Sequence, residues 1–340
     1  MIEPFRALSL DDIADELPRK ENTLILYHVR SDADAIGSAF ALRELLRIMN
    51  VPVYCACADE LPNKLVFITD GTQESVLLDE ELKIDYERVI TVDSASPEQL
   101  GSLFFKLRRN IDIMIDHHAQ GVIYADYYID SDASATGEII YELAFILKKK
   151  HYIDEIPVRV LSCIYAAICG DTGCFRFSNT TPKSLRTAAK LMELGVDCAK
   201  INSLLFDSKP LIQLKIESEV ARRLKSHFNG HVISATVPYS VIEESGASYE
   251  NLDTAIDIAR SVGGATVTFV IKQAEKDGDC RVSMRSNGDV DVSEICSFFG
   301  GGGHKCAAGC TIRSSDTDYC EKQILDALSR SPNLKLKSGC

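Results

Sequence analysis

Aspartate and histidine residues recur in this chain directly after short apolar runs. His28, Asp32 and Asp34 follow Thr23-Leu24-Ile25-Leu26-Tyr27, and Asp93 follows Val89-Ile90-Thr91-Val92. Asp116-His117-His118 follows Ile111-Asp112-Ile113-Met114-Ile115, and Asp171 follows Ile168-Cys169-Gly170. Carboxylates packed together repel at neutral pH, and a divalent cation removes that cost. Enough ligands are present for two ions, with one aspartate free to bridge. Paired ions roughly 3.5–4 Å apart activate water and stabilise the attacking and leaving oxygens on phosphorus. Mixed carboxylate and imidazole ligands without cysteine favour Mn²⁺ over structural Zn²⁺. Mg²⁺ remains open but is less at home with two imidazoles. A single aspartate after a strand is commonly a turn or helix cap; four such segments together exceed what capping explains.

A second signal lies near the C-terminus, in Phe299-Gly300-Gly301-Gly302-Gly303-His304-Lys305-Cys306-Ala307-Ala308-Gly309. Consecutive glycines let backbone N–H groups approach an anion closely, because no Cβ intervenes. His304 and Lys305 add charge. Upstream, Val282-Ser283-Met284-Arg285-Ser286 places Arg285 where it can grip a phosphate with two parallel hydrogen bonds. Alone, a glycine run is more often a flexible turn and a strand arginine a solvated side chain. Cys55 with Cys57, and His304 with Cys306 and Cys310, do not have the spacing of a common structural zinc site. Arg176 and Phe177 follow Asp171; Phe177 suits either a base-stacking surface or core packing.

The elements that position these residues can be read from periodicity. Ser9-Leu10-Asp11-Asp12 has the form of a capping box opening a first helix. Residues 23–27 form a buried strand, 29–37 a polar loop, and Phe40, Leu42, Leu45, Leu46 and Met49 one face of a helix. Strands are expected from Val51, over 89–92 and over 111–115. Ile139, Ile140, Leu143, Ile146 and Leu147 form a helix stripe closed by Lys148-Lys149-Lys150 at the negative end of its dipole. Thr181-Pro182 opens another helix, with Leu185, Ala188, Ala189 and Met192 on one face. This alternation predicts an α/β fold, a mainly parallel sheet with helices on both faces. Ligands in such sheets bind beyond the carboxyl ends of the strands. Beyond residue 228, strands at 231–237, 265–271 and 280–285, with Asp277-Gly278 in a hairpin turn, and a helix near 319–328 give a smaller α+β domain. The expected division is 1–200 for the metal-binding domain, 201–227 for a helical linker, and 228–340 for the second domain.

The 340 residues suit about two domains. With 37 Lys and Arg against 50 Asp and Glu, the net charge is −13. Such a chain repels long nucleic acid, whereas a small anionic substrate held by metals escapes that objection. No run of about 18 apolar residues exists, which argues against a membrane partner. Met1 to Arg6 lack the layout of a signal peptide. Twelve Cys without a secretion signal read as reduced thiols. The expected location is the cytoplasm.

As a set, these segments resemble the DHH phosphoesterases, and the glycine run resembles the DHHA1 domain associated with that family's first subgroup. The resemblance covers nearly the whole chain. Its first motif usually has Pro and Gly where this chain has Ser31 and Ala33, both small or turn-tolerant replacements. In size the chain is similar to the branch of short nanoRNases and phosphoadenosine-phosphate phosphatases and to stand-alone cyclic-di-AMP phosphodiesterases. The resemblance implies that His28 and Asp32 hold one metal, that Asp34, His117 and Asp171 hold the other, and that Asp93 bridges them. Asp116 would orient its neighbour, and His118 would face the scissile phosphate. In the C-terminal domain, Ser283, Arg285, Gly302, Gly303 and His304 would grip a terminal phosphate across a cleft from the metals. The implied substrates are short oligoribonucleotides, linear diadenylate (pApA) and 3′-phosphoadenosine-5′-phosphate, and a homodimer is implied as well. A cyclic-di-AMP phosphodiesterase is the nearest alternative. A RecJ-like exonuclease fits less well, since no extra binding domain is present, and an inorganic pyrophosphatase would lack the Gly-Gly-Gly-His pattern. An inactive nucleotide-binding module would be expected to have lost some of these ligands.

Overall fold

The computed structural model describes residues 5–69, 71, 84–107, 109–252 and 254–330, except for the side chains of Tyr249, Glu250 and His304. Residues 1–4, part of the N-terminal reading, and 331–340, the end of the expected second domain, lie outside the described residues. The chain forms two compact units, Met1–Ser208 and Lys209–Cys340.

The first unit is built on β1 (Thr23–Leu26), β2 (Val53–Ala56), β3 (Arg88–Val92), β4 (Ile113–Asp116) and β5 (Asp126–Ile129). They form an all-parallel sheet in the order β2-β1-β3-β4-β5. Alternation along each strand feeds two cores. Leu24 and Leu26 join Val89, Met114, Leu100 and Leu103 on one face, and Ile25, Tyr27, Ile90, Val92 and Ile115 join the larger helical layer on the other.

The helices of this unit are α1 (Leu10–Glu16), α2 (Ala33–Ile48), α3 (Ser102–Lys106), α4 (Thr136–Lys149), α5 (Val158–Asp171), α6 (Pro182–Glu193) and α7 (Cys198–Asn202). The capping box of α1 is present, with the Asp12 amide on the Ser9 hydroxyl at 3.1 Å and the Ser9 amide on the Asp12 carboxylate at 2.8 Å. Two local expectations need correction. The loop expected over 29–37 ends early, because Asp32 caps α2 and Ala33 is already helical. In α6 the inward face is Ser184, Thr187, Ala188 and Leu191, while Leu185 is 51% and Met192 61% exposed. Ser184, whose polar groups are satisfied by the capping box with Thr181, can therefore be buried, and it shares the inward face with two small side chains and Leu191.

The second unit begins with α8 (Leu211–Arg222), which lies within the stretch expected to be a linker. Ile216 and Val220 of α8 are buried with Ile233, Ala235 and Val270. The sheet comprises β6 (Lys225–His227), β7 (Val232–Val237), β8 (Val267–Gln273), β9 (Cys280–Ser286), β10 (Gly302–His304) and β11 (Ala307–Ile312), in the order β10-β11-β9-β8-β7-β6. Only β7 and β8 pair in parallel. The hairpin around Asp277-Gly278 joins β8 to β9 as expected. Helices α9 (Tyr239–Ser245) and α10 (Ala255–Arg260) pack with α8, and α11 (Val292–Ser297) and α12 (Thr317–Leu328) cover the other face. All the described cysteines are free thiols. Among the described residues no helix is long and apolar enough to cross a membrane.

Candidate metal centre

Three neighbouring parallel strands deliver the first candidate residues from their carboxyl ends. His28 stands just past β1, Asp93 is the first residue after β3, and Asp116 closes β4 ahead of His117 and His118. Asp32 and Asp34 come from the N-terminal turn of α2, and Asp171 is the last residue of α5, so it arrives from a helix rather than a strand. Three groupings result: His28 with Asp32 and Asp93, Asp34 with His117 and Asp171, and Asp93 with His117 and His118. Asp93 therefore belongs to two groupings. Among the described residues no such grouping contains a cysteine.

The distances inside these groupings are too long for hydrogen bonds. His28 Nε2 stands 3.5 Å from Asp93 Oδ2 and 3.8 Å from Asp32 Oδ1. His117 Nε2 stands 3.6 Å from Asp93 Oδ1, 3.8 Å from Asp34 Oδ2 and 3.9 Å from Asp171 Oδ2. Two donors each ~2.1 Å from one ion, ~90–110° apart, lie ~3.0–3.5 Å from each other. The observed separations run from the top of that range, 3.5 Å, to a few tenths of an ångström beyond it, so these side chains are spaced as donors around cations would be. The two Asp93 oxygens face different histidines, which suits a shared ligand.

Other groups hold the ligands in place. His28 Nδ1 is 2.9 Å from the Val29 carbonyl and His117 Nδ1 3.2 Å from that of Ala133, so each ring keeps Nε2 for the centre. Asp34 Oδ1 accepts from the Ser38 hydroxyl and the Gly137 amide, both at 2.9 Å, and Asp34 Oδ2 from the Thr136 amide at 2.7 Å. The Thr136 hydroxyl reaches Asp93 Oδ1 at 3.0 Å, and Asn179 Nδ2 donates to Asp171 Oδ2 at 3.0 Å. Sequence reading missed Ser38, Thr136 and Asn179. Ser38, four residues after Asp34 on one helix face, was the one with a readable signal. Asp32 carries both readings weighed for it, since its Oδ1 caps α2 by accepting the Asp34 and Ala35 amides while it faces His28.

Asp116 is bonded to His118 and belongs to none of the three groupings. Its Oδ1 lies 2.7 Å from His118 Nδ1 and accepts the His117 amide at 2.8 Å. That bond, against burial and with the Asp93 charge adding to it, pushes His118 up to about 9. Burial alone would lower His28, but Asp93 and Asp32 outweigh it and push it up to about 9. Burial, with the neighbouring charges of Asp93 and Asp171, drives Asp34 well above the carboxylate range. Burial likewise pushes Asp171 up to about 6, against the His117 charge. Burial also acts on Asp93, but its histidine neighbours hold it below its ordinary value. Mutual repulsion among these buried acids is a cost that a divalent ion would relieve.

Phe177 is 40% exposed, so it is not a core residue. Gly173, in the left-handed region at φ 56°, makes room for it: a Cβ there would stand 2.3 Å from the ring. Arg176 Nε donates to the Gly173 carbonyl at 2.6 Å.

In the second unit, β9, β11 and β10 lie side by side. Ser283 pairs with Gly309 and Gly309 with Gly302, while Arg285 pairs with Ala307 and Ala307 with His304. Paired residues share a sheet face, so Ser283, Arg285, Gly302 and the His304 position lie on one face with Gly309 and Ala307 between them. Gly303 falls in the alternate row, paired with Ala308. Arg285 is half-buried and donates to the Met284 carbonyl at 2.9 Å. Burial lowers its pKa somewhat, against the charge of Asp257, and no carboxylate among the described residues pairs with it. The His304 side chain lies outside what is described.

A parallel sheet whose adjacent strand ends gather buried acids and imidazoles defines a hydrolase-type site suited to divalent ions. Residues 22–168 match the DHH family, N-terminal domain, and residues 229–330 match the DHHA1 domain. The chain belongs to the DHH family of phosphoesterases. It is similar over nearly its whole length to two proteins named bifunctional oligoribonuclease and PAP phosphatase NrnA. That of Thermus thermophilus is 30% identical over 318 residues, 93% of this chain and 92% of the relative. That of Bacillus subtilis is 31% identical over 306 residues, 87% of this chain and 91% of the relative. In fold, an exopolyphosphatase-related protein from Bacteroides fragilis matches with a TM-score of 0.86 at 18% identity, covering 97% of this chain and 98% of that one.

Proposed function

We propose that this phosphoesterase hydrolyses short oligoribonucleotides and linear dinucleotides such as pApA to mononucleotides, and 3′-phosphoadenosine-5′-phosphate to AMP. The observation that carries the reading is Asp93, whose two oxygens face His28 and His117 from one buried carboxylate. On this reading His28 and Asp32 hold one divalent ion, Asp34, His117 and Asp171 a second, and Asp93 both. Mn²⁺ suits the two imidazoles, with Mg²⁺ a weaker fit. The ions would supply a water activated for attack and charge compensation on the phosphoryl oxygens. The near full-length similarity to NrnA proteins supports the choice of substrates.

The chain's own residues do the rest. Asp116 fixes His118 through Nδ1, leaving Nε2 to hold a proton for the phosphate or the leaving oxygen. Ser283, Arg285, the Gly302 and Gly303 amides and His304 grip a terminal phosphate remote from the reacting one. Net charge of −13 disfavours long nucleic acid and leaves short anions acceptable.

The test is one panel: purified full chain with Mn²⁺ or Mg²⁺, against dinucleotide RNA, pApA, cyclic-di-AMP, 3′-phosphoadenosine-5′-phosphate, pyrophosphate and long single-stranded DNA. Turnover is expected on the two linear dinucleotides and the bisphosphate. A clear preference for cyclic-di-AMP or for long DNA would overturn the substrate assignment.

A further inference from the structure

We propose that Thr136 is a positioning residue that sets the geometry of the His117-side ion by holding two of its carboxylate oxygens at once. Thr136 opens α4 and is fully buried. Its amide donates to Asp34 Oδ2 at 2.7 Å and its hydroxyl to Asp93 Oδ1 at 3.0 Å. These are the same two oxygens that face His117 Nε2, at 3.8 and 3.6 Å. One residue thereby ties a ligand from the start of α2 to a ligand from the end of β3.

The hydroxyl has a job the backbone cannot do. A carboxylate rotates about its Cβ–Cγ bond, and a shared ligand works only if its two oxygens point in two directions. The Thr136 hydroxyl donates its single proton to Asp93 Oδ1, which turns Oδ2 toward His28.

The same residue links the ligands to the helix. The N-cap position of α4 is Ala135, which has no side chain able to cap. The free amides of Thr136 and Gly137 are satisfied by Asp34 instead. The positive end of the helix dipole in turn favours that carboxylate's charge. Gly137 lets the start of α4 pack close against α5, since a Cβ there would stand 2.5 Å from Ala167 Cβ.

The inference rests on the two-ion reading above. Mn²⁺ titration calorimetry on wild type, Thr136→Val, Thr136→Ala and Thr136→Ser tests it, with melting curves of the metal-free proteins alongside. Valine keeps the shape and the amide but loses the hydroxyl; alanine does the same with less bulk, should valine fail to fold. In either variant the more affected ion should bind roughly 10–100-fold more weakly, the range for losing a partner of a metal ligand, and the other, which shares Asp93, by a clearly smaller factor. Thr136→Ser should restore the affinity. Equal weakening of both ions with a lowered melting temperature would mark a merely structural role and overturn the inference, as would unchanged binding of both. A wild type that takes up a single ion sinks the two-ion reading. There, loss of affinity in Thr136→Val with rescue by serine still supports Thr136 as a positioning residue, and its absence overturns it.

Discussion

Asp116 Oδ1 stands 2.7 Å from His118 Nδ1 while also accepting the backbone amide of His117. The buried carboxylate thus locks both the turn after β4 and the ring of His118, whose far nitrogen remains open. Asp116→Asn keeps the shape but removes the charge and one acceptor. Activity should fall about 10–100-fold, the usual effect of losing such an orienting partner, with Mn²⁺ content unchanged. Steady-state kinetics beside elemental analysis checks this. Loss of metal in step with activity would make Asp116 a ligand instead.

Asp93 and His28 should not be equivalent. Asp93 faces both metal-side histidines, whereas His28 serves one grouping. Asp93→Ala is therefore expected to empty or separate the pair and to abolish single turnover. His28→Ala should retain about one ion per chain and residual activity. Metal content and single-turnover rates decide it, and near-normal turnover in Asp93→Ala excludes bridging.

The candidate site was legible because apolar runs ending in acid or imidazole mark strand ends, and His28, Asp93 and Asp116-His117-His118 stand where adjacent strands stop. Asp171 had the right type in the wrong setting, since an apolar run alone cannot separate a buried helix from a buried strand. Thr136 was illegible because it acts on Asp93 from another part of the chain, and Asn179 because the irregular turns between it and Asp171 carry no periodic signal. In α6 the large apolar Leu185 and Met192 pointed to one face, whereas Ser184, Thr187 and Ala188 with Leu191 form the inward one; small and satisfied polar residues on a buried face carry no hydrophobic signal.

The glycines of β10 should separate folding from binding. Gly303 has φ 143°, and a Cβ there would meet the Ala307 carbonyl at 2.5 Å, whereas a Cβ on Gly302 meets nothing within 4 Å. Gly303→Ala should lower the melting temperature, as strain at such a position costs about 1–3 kcal/mol. Gly302→Ala should leave melting unchanged and raise KM by covering the bare face. Thermal melts and KM on dinucleotides compare the two; a normal KM in Gly302→Ala would remove that amide from the grip.

Arg285→Ala tests the same face by charge. Losing a charge-assisted hydrogen bond costs about 1.5–3 kcal/mol, roughly 10- to 150-fold. That penalty should fall on kcat/KM for a dinucleotide with a 5′-phosphate and shrink for one without it, with metal content normal. An equal loss on both substrates shows that Arg285 does not read that phosphate.

Glu217 gives a stability prediction whose sign follows from its partners. The carboxylate is buried, yet Thr254 donates to it at 2.7 Å, Lys209 to both oxygens at 2.9 Å and Gln213 at 3.1 Å. Burial pushes its pKa up, but these bonds outweigh burial and hold it below the ordinary glutamate value. A folded pKa below the unfolded one stabilises the fold above the unfolded value, near ~4.3. That contribution is lost as pH falls from there through the folded pKa. Glu217→Gln keeps the volume and removes the charge, leaving Lys209 beside a neutral amide. At pH 7 the variant should be less stable by about 1–3 kcal/mol, and the gap to wild type should narrow as pH drops below about 4.3. The acids of the metal centre titrate in both proteins, so their effect cancels in the difference. Denaturation of metal-free wild type and variant across that range is the measurement. A gap that stays constant into acid would show that the Glu217 charge does not contribute to the stability of the second unit.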